Sequence, residues 1–241
     1  MALPFARLAN PTGGWWWHAR AWRHQRLWAP TTRQIQDWCL QTAPDAERLV
    51  VIGASAGWMI SDAWLTRHRE VETWDIDPWA QRLFEWRHGK TLRAAGVRWT
   101  HHQGDAWQHS AAWLRARHES VYWFDNVLGQ LRFALPMATA RERIESVKHQ
   151  MRGTRWGSVH DRYSGPMAHT TEADAKPWRS NSGIDLEDRA AQNWLCDWGA
   201  QAPWLDHLTE GVFQTGTPVL NLGWPIQPRF GHWLELGWQL P

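Results

Sequence analysis

The residues Leu49-Val50-Val51-Ile52 form an unbroken apolar, mostly β-branched run that stops at Gly53. A run this short, with no polar alternation, suits a parallel strand covered on both faces. The next hundred residues repeat one pattern. Gly53 to Gly57 reads as a turn, Trp58 to His68 as a helix and Val71 to Asp75 as a strand, and Pro78 opens a second helix at its first position. The alternation continues with strands over Val97 to His102 and Ser120 to Phe124, and with helices over Ala106 to Arg117 and Pro136 to Met151. Gly153 then ends the last helix before a strand over Arg155 to Asp161. Strand and helix in strict succession imply right-handed crossovers, hence an α/β fold with a mostly parallel sheet and helices on both faces.

The flanks are less regular. Residues 1–30 mix Trp, Arg, Pro and Gly without a period of 2 or 3.6 and read as an irregular arm, after which Thr31-Thr32 caps a helix running to about Gln41. Beyond Gly165, the stretch from Pro166 to Gly183 reads as polar loop and Leu186 to Trp198 as an amphipathic helix. Val219 to Leu222 and Trp233 to Trp238 form a terminal antiparallel pair. The expected organisation is one domain with embellishments: arm and helix over 1–44, a core over 45–165, a helical cap over 166–210 and terminal strands over 211–241.

Charge and cysteine content narrow the function. The net charge of +2 arises from interspersed Arg, Asp and Glu, which gives no electrostatic footprint for nucleic acid. No segment approaches the length of a membrane span, and no secretory leader opens the chain, so a cytoplasmic protein is expected. Cys39 and Cys196 lack ligand or disulfide spacing. His101-His102 and His109 do not suggest a metal, because adjacent strand residues point to opposite faces, and no metal is expected. The chain is tryptophan-rich, with 23 Trp against two Tyr. Trp15, Trp16, Trp17, Trp178 and Trp204 fall outside the sheet segments, as a lid over an apolar or cationic acceptor or as packing.

The strand ends carry the polar chemistry. Gly53 to Gly57 has GxxxG spacing with Ser55 in the middle, unlike the GxGxxG that brings a backbone against a diphosphate. Asp75 ends the second strand about 20 residues later, where a carboxylate accepts both ribose hydroxyls, while Asp77 is placed to cap the next helix. Asp105 is placed to cap the helix after the third strand and also to face an adenine edge, or else only to cap.

These stretches, in this order, resemble the class I S-adenosylmethionine (SAM) methyltransferases over residues 45–165 and through the terminal strands, which implies a Rossmann-like fold and SAM as cofactor. Gly53 to Gly57 is similar to the family's first glycine motif, and Asp75-Ile76-Asp77-Pro78 to its ribose-binding strand end. Gly104-Asp105-Ala106 is similar to its adenine-side motif, and Tyr122 to Asn126 to its fourth-strand motif facing the methyl donor. The resemblance implies cofactor contacts from Gly53, Ser55, Gly57, Asp75, Ile76, Asp105, Ala106, Asp125 and Asn126. The chain departs from the family at Val51, where an acid usually helps to hold the amino-acid end of SAM. A carboxylate introduced there is expected at the mouth of the turn.

On the acceptor side, Asp125, Asn126 and Gln130 follow the fourth strand, and His160, Asp161 and Tyr163 end the fifth. His160 or Asp161 is the candidate base, with Tyr163 beside them, or else these residues only fasten the following loop. No Asn-Pro-Pro-Tyr motif is present. The expected function is methylation of a small molecule of open identity, with oligomeric state also open. The alternative is a non-catalytic protein of this fold that recognises SAM or a partner protein.

Overall fold

The computed structural model describes residues 14–114, 119–168 and 176–241, which fall into two compact units. The first comprises residues up to Gln25 together with Thr32–Asp125, and the second Arg26–Thr31 with Asn126–Pro241. The core expected over 45–165 is thus shared between them. The first part of the arm (1–13), the end of the helix expected to reach Arg117, and residues 169–175 of the expected cap lie outside the described residues.

In the first unit, β1 (Arg48–Ile52) is buried at every position, as its apolar run requires. It lies parallel between β2 (Glu70–Asp75) and β4 (Ser120–Asp125), with Ile52 opposite both Trp74 and Phe124. β3 (Arg98–Gln103) extends the parallel order as β3-β2-β1-β4. Trp64 and Trp38 pack on Trp123, with ring centroids at 5.5 and 6.2 Å. The first residue of β1 is charged and buried: Arg48 pairs with Glu72, bonds Ser120 Oγ at 3.0 Å and reaches the Trp113 carbonyl at 3.3 Å. The other Glu72 oxygen accepts Trp74 Nε1 at 2.7 Å, so the carboxylate is fully engaged.

Two sequence expectations change here. The irregular arm is instead helical from its first described residue, with α1 (Gly14–Arg23) followed by α2 (Gln25–Thr42), which runs through Pro30. Glycine and proline read as breakers, but a distant residue fastens this start. Asp77 accepts the Gly14 N–H at 3.1 Å and lies 2.8 Å from His18 Nε2. The helix expected over Trp58 to His68 contracts to α3 (Asp62–Leu65), capped by Ser61, because the preceding residues are spent in the turn after β1. After β2, α4 (Ala80–Phe84) passes through a π-helical segment (Glu85–Gly89) into α5 (Lys90–Ala94). After β3, a 3-10 turn (Ala106–His109) leads into α6 (Ser110–Trp113).

The second unit begins with α7 (Leu131–Ala134) and α8 (Met137–Gln150). Its sheet is antiparallel. β5 (Arg155–Pro166) pairs with β9 (Phe230–Gln239), β9 with β8 (Pro218–Gln227), and β8 with β6 (Trp178–Asn181). The terminal pair is therefore as expected, while β5 runs five residues further and β6 appears inside the expected loop. α9 (Arg189–Trp198) starts on the Asp188 side chain and ends at Gly199 in the left-handed region. The short β7 (Leu205–Asp206) pairs with β5 beside Tyr163. Tyr163, Met167, Leu195, Trp198 and Trp233 form a core against which Trp178, Trp194 and Trp204 pack. Of the two roles open to Trp178 and Trp204, packing is the one they fill here.

Candidate functional site

In the first unit, the turn after β1 is fastened to the end of β2. Gly53 donates its N–H to the Trp74 carbonyl at 2.8 Å, and Ser55 donates its N–H to Asp75 Oδ2 at 2.7 Å. Asp75 Oδ1 takes the Asp77 N–H at 2.8 Å. Ser55 sits at φ 48°, so it turns the backbone as a middle glycine would. A carboxylate offers about four lone-pair positions; two are filled here, which leaves room for a diol at Asp75. Burial pushes the Asp75 carboxyl up to about 6, against the two N–H bonds that hold it down.

Gly57 closes the turn at φ +65°, and a Cβ there would stand 2.4 Å from His88 Nε2. His88 comes from the π segment and is held by Asp62 at 2.6 Å, which also accepts the Thr91 hydroxyl. On this side lies a cleft of about 440 Å³ lined by Gln36, Ile60, Ser61, Trp86, Arg87 and His88. Its lining residues lie outside the strand ends.

The remaining first-unit candidates separate by exposure and bonding. Ile76 is exposed, whereas Ala106 is buried with its carbonyl accepting Trp113 Nε1 at 2.7 Å. Asp105 accepts the Trp107 N–H at 3.0 Å and Gln108 Nε2 at 3.2 Å, so it does cap the turn after β3. The Trp107 ring stacks on Phe124, 9° from parallel, which gives that end of the sheet an aromatic platform. Asp125 ends β4 and is buried. Burial pushes its carboxyl up to about 7, with Trp123 Nε1 opposing and the negative charge of Asp75 adding to the rise. Val51 is fully buried, so a carboxylate there would sit inside the sheet layer rather than at the mouth of the turn.

In the second unit, Asn126 follows Asp125 in the chain and takes a positive φ of 56°. Its Oδ1 accepts the Asp161 N–H at 3.1 Å, and Gln130 Nε2 reaches Asp161 Oδ2 at 3.2 Å. Asn126, Gln130 and Asp161 are therefore brought together. His160 and Tyr163 are not part of that group. His160 is fully buried, with Nε2 3.3 Å from Glu235 Oε1 and Nδ1 3.2 Å from Ser158 Oγ. Tyr163, displaced by a bulge after Asp161, packs on Trp233 and meets the Leu186 backbone.

Two histidines that no sequence motif marks join Asp161. His232 Nδ1 lies 2.8 Å from Asp161 Oδ1, and His207 Nδ1 3.8 Å from Asp161 Oδ2. Burial pushes the Asp161 carboxyl up, but the adjoining His232 and His207 rings outweigh it and hold the group below its ordinary value. Only the register that sets His232 opposite Ser164 and the fold-back of residue 207 bring these groups together. No local spacing carries that signal.

No protein-family model and no curated protein matches this sequence. Among solved structures it is similar to an O-methyltransferase family protein from Burkholderia thailandensis, with a TM-score of 0.50 and 15% identity. The match covers 98% of this chain but 62% of that one, so the chain spans less than two thirds of its length. A glycopeptide N-methyltransferase complexed with SAM matches at TM-score 0.42 and 13% identity, over 87% of this chain and 94% of that one. An RNA methyltransferase from Salinibacter ruber, complexed with S-adenosylhomocysteine, matches at TM-score 0.36 and 15% identity over 55% and 76%. At these identities the likeness is one of fold, and the chain has the class I methyltransferase fold.

Proposed function

We propose that this chain is a SAM-dependent methyltransferase acting on a small-molecule acceptor. The observation that carries the reading is Asp75, a carboxylate at the end of β2 that takes the Ser55 N–H of the turn after β1 on one oxygen and the Asp77 N–H on the other, and keeps lone pairs for a ribose diol. SAM, when bound, supplies a sulfonium methyl to an acceptor lone pair.

The neighbouring residues divide the cofactor between them. Asp75 orients the ribose, while Gly53, Ser55 and Gly57 shape the backbone along the amino-acid end. Asp105 and Ala106 border the adenine, and Ile76, exposed beside Asp75, gives an apolar surface to its ring. Asp125 ends, and Asn126 follows, the strand that ends nearest the methyl donor in proteins of this fold.

On the acceptor side, Asn126, Gln130 and Asp161 supply polar groups, and positioning the acceptor in line with the methyl provides much of the rate without a dedicated base. We assign His160 and Tyr163 to packing rather than to proton transfer, because His160 is enclosed with Glu235. A small acceptor is favoured by the dispersed charge of the surface. Incubation of the chain with methyl-labelled SAM and a panel of small phenols, carboxylates and amines tests the reading. Acceptor-dependent release of S-adenosylhomocysteine supports it, and binding of SAM with no release for any small acceptor overturns the small-molecule assignment.

A further inference from the structure

We infer that Asp161, His207 and His232 form a binding site for a divalent transition-metal ion in the second unit, with Gln130 as a fourth donor. One ligand atom from each of the three lies within 4.8 Å of the others, and all three residues are buried. The histidines come from separate segments, His207 just after β7 and His232 on β9, so the expectation of no metal, drawn from neighbouring histidines, did not bear on this group.

Two imidazoles and one carboxylate are a donor set suited to zinc or iron(II) rather than to magnesium or calcium. A tetrahedral zinc ion with bonds of about 2.0–2.1 Å spaces its donors roughly 3.3 Å apart. His232 Nδ1 stands 2.8 Å from Asp161 Oδ1 and His207 Nδ1 3.8 Å from Asp161 Oδ2, so each imidazole lies within about half an ångström of that spacing from one carboxylate oxygen. Small side-chain shifts suffice to admit the ion.

The surroundings also fit a ligand role. His207 Nε2 is fastened to Ser164 Oγ at 2.8 Å, the kind of outer contact that sets a metal-ligating imidazole with its other nitrogen free to coordinate. His207 Nδ1 also lies 3.3 Å from the Gly129 carbonyl, to which it donates in one tautomer; coordination at Nδ1 takes the other tautomer, with Nε2 donating to Ser164. Gln130 bonds Asp161 through Nε2 and leaves its Oε1 buried without a hydrogen bond. That oxygen is a buried acceptor without a partner, on a side chain that already touches Asp161. Asp161 itself is held in place through its backbone, with its N–H on Asn126 and its carbonyl accepting the Thr209 hydroxyl at 2.8 Å.

The site shares Asp161 and Gln130 with the proposed acceptor side, and it is tested by metal binding without an activity assay, so that its failure and the failure of the methyl-transfer reading are distinguishable. The full chain, stripped with a chelator and dialysed, is titrated with zinc chloride in competition with a chromogenic chelator, and separately with cobalt(II). Saturable binding of one ion per chain is expected, and His207→Gln or His232→Gln should weaken it at least about a hundredfold. Gln130→Ala should weaken it about tenfold. The visible spectrum of the wild-type cobalt form needs no variant to fold, and a four- or five-coordinate spectrum without a thiolate charge-transfer band is expected. A thiolate band would place the ion on a cysteine and overturn the assignment. So would the absence of saturable binding, or binding that a folded His207→Gln leaves unchanged.

Discussion

Ser55 donates its backbone N–H to Asp75 Oδ2 at 2.7 Å, and through this bond the end of one strand holds the turn that leaves its neighbour. The same carboxylate holds the Asp77 N–H, so its removal leaves two partly buried backbone donors without that acceptor. Asp75→Ala is therefore expected to cost about 2–4 kcal/mol of stability. Asp75→Asn, which keeps one acceptor oxygen, should cost less. Urea unfolding of the three proteins checks the order, and an Asp75→Ala variant as stable as wild type would show that the turn does not depend on this residue.

Asp125 titrates in the opposite direction from a salt-bridged acid. Its folded value is raised to about 7 and that of Asp75 to about 6, chiefly by burial, so between the ordinary carboxyl range and pH 7 the folded chain binds more protons than the unfolded one. Stability accordingly falls as pH rises through that window and levels off above it. Asp125→Asn removes the larger part of the effect. Relative to wild type, the variant should be more stable at pH 8 than at pH 4.5 by on the order of 2–4 kcal/mol. Equal differences at both pH values would argue that the group is not buried as described.

Gly57 and Gly96 share a left-handed backbone but not a neighbourhood. A Cβ on Gly57 meets the buried His88 ring, whereas one on Gly96 meets nothing within 4 Å. Gly96→Ala is expected to lose about 1 kcal/mol from backbone strain alone, and Gly57→Ala about 2–4 kcal/mol from strain plus the displaced ring. Thermal unfolding of the pair separates the two terms.

These positions also mark what a sequence discloses. The apolar run of β1 and the alternation after it needed only local periodicity, so the parallel order and the carboxylate at Asp75 were legible from residue type and spacing. The helical start of the chain was not, because its anchors to Asp77 span 63 residues from Gly14 and 59 from His18. His207 and His232 were invisible for the same reason: His232 acquires its partner through strand register and His207 through the fold-back of the chain after β7. His160 and Asp161 looked equivalent in the sequence, yet adjacent strand positions send them to different partners, Glu235 and His232.

Arg48 and Glu72 form a buried ion pair inside the parallel sheet. Glu72→Ala leaves the guanidinium to the more exposed Glu70 carboxylate, 3.6 Å from Nε, and removes the acceptor of Trp74 Nε1, with an expected loss of about 2–4 kcal/mol. The double variant Arg48→Met, Glu72→Leu should recover most of that loss. A double variant less stable than the single one would mean that the pair contributes net stability rather than merely neutralising itself.

Calorimetric titration of the full chain with S-adenosylhomocysteine, for wild type and a folded Asp75→Ala variant side by side, tests the proposed cofactor site most directly. Recognition of the ribose by Asp75 predicts saturable binding of one ligand per chain, weakened at least about tenfold in the variant. Absence of binding by the wild type, or equal affinity in both proteins, would contradict it.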